Sequence, residues 1–72
     1  IFGLRFFFYS DEHLPIHVHV DHGGNDAIIE IATRKVVQNR GLKPRELKKA
    51  TQLIEMYEQE IIKAWHDYFD KE

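Results

Sequence analysis

The sequence predicts an α+β fold, in which a small antiparallel sheet is packed by one long C-terminal helix. Apolar and polar residues alternate through most of the first 37 positions, which is typical of strands that bury one side. From position 44 to 69 apolar residues recur every three or four positions without a glycine, which is typical of an amphipathic helix. We therefore expect one domain over residues 1–72, with a β-meander over 2–37 and the helix over 44–69.

Three strands, and a fourth as an alternative, account for the meander. The first is GLRFFFYS, which carries aromatic residues on both sides. The second, IHVHVD, alternates strictly, so its aliphatic residues point to one side and its two histidines and aspartate to the other. HGGND supplies the turn into the third strand, AIIEIA. TRKVVQNRG forms either a short fourth strand or a loop anchored by its valines.

The predicted helix begins at Pro44, since proline suits a first helical position whose N–H has no partner. A straight helix over 44–69 would be ~39 Å long, whereas strands of this length span only ~20–23 Å. Either its apolar second half covers a second subunit or partner protein, or the helix breaks near residues 57–59. The apolar seam consists of Leu47, Ala50, Ile54, Tyr57, Ile61, Trp65 and Tyr68.

Composition and charge narrow the classes of protein. The chain is 43% hydrophobic and 12% aromatic, as folded domains are, and it has no cysteine for a disulfide or a thiolate metal site. No apolar run approaches the ~18 residues that span a bilayer, so we expect a cytoplasmic protein without a membrane partner. The net charge of −2 argues against a general nucleic-acid binder. Basic residues nevertheless concentrate between positions 34 and 49, and four of them are candidates to bind the phosphates of RNA: Lys43, Arg45, Lys48 and Lys49.

One side of the predicted sheet gathers the chemically versatile residues. Because a single helix covers one side only, the aliphatic side should be the covered one. The other side, which we call the open face, is then expected to carry Arg5, Phe7, Tyr9, His17, His19, Asp21 and Glu30.

Three interpretations of the open face remain. His17 and His19 could hold a divalent metal ion, with Asp21 or His13 as third ligand, because side chains at i and i+2 of a strand share a side. They could instead act as acid and base in RNA cleavage, assisted by Arg5 and Tyr9, since imidazole titrates near neutrality and a cation stabilises developing phosphorane charge. The face could also be a polar surface that solvent or a partner covers.

RFFFYSDEHLPIHVHVDHGG, together with GLKPREL and AWHDYF, resembles an uncharacterised bacterial family, domain of unknown function 4160, over essentially the whole chain. The family's second proline is absent, because Ile16 stands immediately before His17. The residues that match its motif are Tyr9, His13, Pro15, His17, His19 and Trp65.

The resemblance implies a protein partner. Members of this family are often encoded beside a second small protein, an arrangement similar to a toxin–antitoxin module. We therefore expect an interaction protein that binds a second small protein, or a second copy of itself, through the C-terminal helix and the open face. RNA cleavage by the His-x-His strand would be the toxic activity, so whether the chain is an enzyme stays open. The alternative is a metal-binding or metal-dependent protein that uses His17 and His19.

Overall fold

The computed structural model describes residues 3–8 and 15–69, which form a four-stranded antiparallel sheet and two helices. The strands lie in the order β1-β2-β3-β4, so each pairs with its neighbour in sequence. The predicted α+β class is confirmed, and the fourth strand is present. The elements are β1 (Arg5–Phe7), β2 (His17–His22), β3 (Asn25–Glu30), β4 (Val36–Arg40), α1 (Pro44–Met56) and α2 (Glu58–Phe69).

The aliphatic side of the sheet is buried under both helices, as its alternation predicts. Val20 and Ile29 of the sheet and Ile54 of α1 are all 0% exposed, and fully burying such a side chain contributes about 1.5–3 kcal/mol. Strand β4 carries the meander to Arg40, beyond the expected end at residue 37. Partly buried side chains extend this core at its margins: Phe6, Phe8, Ile16, Val36, Leu47, Ile61 and Ile62.

A β-bulge in β4 brings two neighbouring valines to different environments. Val36 lies opposite Ile29 and Gln38 lies opposite Ile28, so Val37 is the extra residue between them. Val36 packs against the core, whereas Val37 is 60% exposed.

Helix α1 begins at Pro44, as predicted, although Lys43 has no side-chain acceptor with which to cap it. Instead the Lys43 carbonyl accepts from the backbone N–H groups of Glu46 and Leu47, both at 2.9 Å. In turn, the Glu46 carboxylate accepts a hydrogen bond from the Lys43 backbone N–H at 2.8 Å. This half of a capping box also places an acidic side chain in the first turn, where the helix dipole favours it.

The prediction of a single uninterrupted helix over 44–69 is wrong, and the alternative of a break near 57–59 is confirmed. Tyr57 takes φ −113° and ψ 25°, outside helical geometry, and separates α1 from α2. The Tyr57 N–H still donates to Leu53, and its carbonyl still accepts from Ile61, both at 2.9 Å. The helix therefore breaks at one residue that keeps both of its own backbone hydrogen bonds, and Tyr57 itself interrupts the apolar seam at 41% exposed.

Helix α2, which follows the break at Tyr57, packs against the same core as α1. Ile61 and Ile62 pack against the core, and Trp65 is only 6% exposed, with its ring 4.7 Å from that of Phe69. An ion pair fastens the start of α2 to the β3–β4 connection, since Arg34 donates to the Glu58 carboxylate at 2.7 Å.

Because Trp65 is buried within its own chain, Trp65→Ala should lower the free energy of unfolding by about 3–5 kcal/mol, which for so small a domain is most of its stability. Urea unfolding followed by circular dichroism measures the change, with Trp65→Phe as the milder variant. Met56→Ala, at a side chain that is 68% exposed, is the control and should change the free energy by less than about 0.5 kcal/mol. A Trp65→Ala effect that appears only at high protein concentration would place Trp65 in an interface instead.

Candidate functional site on the open face of the sheet

Strand register arranges the open face in three rows that run across the strands. The first row is charged. Arg5 of β1 lies opposite Asp21 of β2 and donates to its carboxylate at 3.2 Å. Farther along the row, Arg40 of β4 donates to Asp26 of β3 at 3.1 Å. Two ion pairs therefore tie the outer strands to the inner ones along one end of the face.

The second row crosses the middle of the face and mixes apolar and polar side chains, in the order Phe7, His19, Ile28 and Gln38. Phe7 stacks on the ring of His19, with centroids 5.5 Å apart, and Ile28 lies opposite His19 on the next strand. His19 is consequently only 4% exposed, although it lies on the side away from the helices. The Arg5 guanidinium lies 5.0 Å from the centre of the Phe7 ring, which joins this row to the charged one.

The third row contains the more accessible histidine. His17 is half-buried, lies opposite Glu30, and its ring centroid is 6.0 Å from that of His19. His17 Nδ1 lies 2.8 Å from the carbonyl oxygen of Pro15. Since a carbonyl can only accept, Nδ1 carries the hydrogen, and the lone pair of the neutral ring is on Nε2. This bond fixes the orientation of the ring.

A concavity of about 250 Å³ opens beside His17 and Glu30. Pro15, Ile28 and Val37 form its apolar walls. The Glu30 carboxylate accepts a hydrogen bond from the Thr33 hydroxyl at 2.9 Å, which holds it at the edge of this space. The open face thus combines an apolar depression with one carboxylate and one imidazole.

The histidines serve different purposes. His22, the last residue of β2, contacts the Gly3 carbonyl through Nδ1 at 2.8 Å and the Glu46 carboxylate through Nε2 at 3.3 Å. It thereby joins the start of the chain, the sheet and α1. His17 and His19 lie on the open face, and His13, like Tyr9, lies outside the described residues.

The residues predicted to ligate a metal are only partly brought together. His17 and His19 are neighbours, but the Asp21 carboxylate is engaged by Arg5. Within residues 3–8 and 15–69, no three His, Asp or Glu side chains are placed to hold one ion. Among the described residues, His17 and His19 are therefore the only predicted ligands that lie side by side.

The residues predicted to bind phosphate lie on the other side of the sheet from His17 and His19. Lys43, Arg45 and Lys48 are exposed at the start of α1, and Lys49 is half-buried there. Helix α1 packs against the aliphatic side of the sheet, so the sheet separates this group from the open face. These basic residues therefore do not form one site with His17 and His19.

Sequence reasoning placed Glu30 on the open face but did not single it out. Its position opposite His17 depends on the register of β2 and β3, which alternation alone does not specify. Val37 was missed because only the bulge brings it beside Ile28. Glu46 had a sequence signal, because an acidic residue three positions after a helix N-cap is half of a capping box.

The fold and the open face define a small α+β domain with one side of its sheet packed by helices and a mixed polar and apolar surface on the other. The chain belongs to the family described as Domain of unknown function (DUF4160), which it matches over residues 3–66. No curated protein and no solved structure matches the chain. Neither helix in the described residues is long and apolar enough to cross a membrane.

We expect the neutral imidazole of His17 to carry its hydrogen on Nδ1, because the Pro15 carbonyl accepts from that nitrogen. Long-range ¹H–¹⁵N NMR distinguishes the protonated from the unprotonated ring nitrogen by chemical shift. A hydrogen found on Nε2 of neutral His17 would contradict the described orientation of the ring.

Proposed function

We propose that the chain is the protein-binding member of a two-gene, toxin–antitoxin-like module, and that a second small protein covers its open face. The observation that carries the proposal is the exposed apolar surface formed by Val37 above Ile28, on the side of the sheet opposite both helices. The family's gene arrangement supplies the kind of partner, a small protein encoded alongside.

The composition of the open face supports a protein interface. Protein interfaces combine an apolar centre with a polar rim. Here Phe7, Ile28 and Val37 supply apolar area, and the Arg5–Asp21 and Arg40–Asp26 ion pairs border it along one end. Such exposed pairs contribute little to stability, typically about 0–1 kcal/mol. They are better suited to fixing the orientation of a partner than to holding the sheet together.

A second candidate function is metal binding by His17 and His19. The observation that favours it is the hydrogen bond from His17 Nδ1 to the Pro15 carbonyl at 2.8 Å. Metal-ligating histidines usually donate their other ring N–H to a carbonyl or carboxylate, which orients the ligand nitrogen. The remaining ligands would come from His13 or from a partner.

Val37→Asp should weaken the complex with the protein encoded beside this chain, because it buries an unpaired carboxylate in an apolar centre. We expect the dissociation constant to rise about 100-fold or more, which corresponds to about 2.8 kcal/mol. Isothermal titration calorimetry with the purified partner measures it.

The matched control for Val37→Asp is Met56→Asp, at a similarly exposed apolar residue at the end of α1. It should leave the affinity unchanged, and circular dichroism should show that both variants fold. If Met56→Asp weakens the complex and Val37→Asp does not, the partner binds the helices and the open face is not the interface.

For the metal candidate, chain purified without a His tag should contain stoichiometric zinc, nickel or manganese by elemental analysis. His17→Gln should lose the metal because Gln has no imidazole nitrogen to donate. His66→Gln, at an exposed histidine of α2, should retain it. Metal-free parent protein, or equal metal in both variants, would rule out this candidate.

A further inference from the structure

We infer that the partner contacts the open face through a lysine or arginine side chain, whose alkyl part lies in the concavity beside Ile28 and Val37 and whose cation pairs with Glu30. The inference rests on the proposed function, since it names the chemistry that a covering protein must bring. It follows from the charges of the open face and from the shape around Glu30.

Among the described carboxylates of this face, Glu30 is the one that has no lysine or arginine partner. Asp21 is paired with Arg5, and Asp26 with Arg40. The Glu30 carboxylate has the Thr33 hydroxyl as its hydrogen-bond donor. Within the described ranges, no lysine or arginine lies within ion-pair distance of it. One negative charge of the open face therefore remains uncompensated by a neighbouring cation.

A partner that covers the concavity must compensate this charge. Covering Glu30 with an apolar surface would remove its water without replacing the lost hydrogen bonds, which opposes association. An acidic partner would add repulsion. A cation from the partner both neutralises the carboxylate and donates to it, so charge complementarity selects a basic residue.

The shape of the site suits a long side chain with a charged end. The concavity of about 250 Å³ has apolar walls from Pro15, Ile28 and Val37, with the Glu30 carboxylate at its edge. Lysine and arginine bury their methylene groups along apolar surface while the charged head stays in contact with polar groups. A short cation would leave the apolar walls uncovered.

A second copy of this chain is the competing source of such a side chain, because Arg45 and Lys48 are exposed on α1. That contact would join the helix side of one copy to the open face of the next. Such a head-to-tail arrangement leaves an uncovered open face at one end of the array and an unused helix side at the other, unless the copies close into a ring. A separate protein satisfies the site in a closed one-to-one complex, and we therefore assign the basic residue to it.

The inference is tested with Nα-acetyl-L-arginine amide as the probe, titrated into the ¹⁵N-labelled chain and followed by ¹H–¹⁵N NMR. The amides of Ile28, Glu30 and Val37 should shift in a saturable way. Nα-acetyl-L-citrulline amide, a neutral molecule of the same shape, should produce no saturable shift. Equal shifts with both probes, or none with the arginine probe, would overturn the inference.

Glu30→Gln should weaken binding of the arginine probe about tenfold or more, because it removes the charge while its carbonyl oxygen still accepts from Thr33. Glu55→Gln makes the same change at an exposed position of α1 and should have no effect. Equal affinity in both variants would contradict the role of Glu30.

The complex with the encoded partner separates this inference from the proposed function. If Val37→Asp weakens the complex and Glu30→Gln leaves its affinity unchanged, the open face is the interface but the basic contact is absent. Sedimentation of the chain alone gives the third outcome. Self-association that both Glu30→Gln and Lys48→Gln reduce would assign the site to a second copy and overturn the inference.

Discussion

Both helices pack on the same side of the sheet, and this one-sided packing decides what the other side can do. Val20, Ile29 and Ile54 meet at the centre of the resulting interior. A chain of 72 residues buries only about 60% of the surface that its unfolded form exposes. In the described residues the elements of regular structure are all used in this sheet and its single helical layer. No helix or strand of the described residues therefore covers the open face.

The break at Tyr57 divides this single helical layer into α1 and α2, and both helices pack against the core. An unbroken helix over residues 44–69 would be longer than the strands on which it packs. After the break at Tyr57, Ile61 and Ile62 pack against the core of this same chain and Trp65 is buried. Both backbone hydrogen bonds of Tyr57 are kept. Arg34 supports the arrangement at some cost, since it takes a left-handed φ of 61° while its guanidinium contacts both Ala32 and Glu58.

Sequence reasoning predicts the α+β class and the two sides of the sheet because a strand with one buried side must alternate. It is less effective where geometry depends on distant contacts. The position of Val37 follows from a bulge, and the pairing of His17 with Glu30 follows from register. The break at Tyr57 has no proline or glycine to announce it, and only the mismatch between helix and strand lengths indicated it. The separation of Lys48 from His17 and His19 depends on which side of the sheet α1 packs against, and composition does not specify that side.

The two histidines of the His-x-His strand are not equivalent, and this difference bears on what the open face does. His19 is stacked under Phe7 and almost fully buried, so a substrate phosphate would have to displace Phe7 to reach it. His17 is accessible, but the basic residues of α1 that could bind phosphate lie behind the sheet. Cleavage by an acid–base pair needs both groups within reach of one substrate. Recognition of a protein needs only a shaped surface with matched charges, and we propose it for this face because the ion pairs at its rim and the carboxylate of Glu30 could supply those charges.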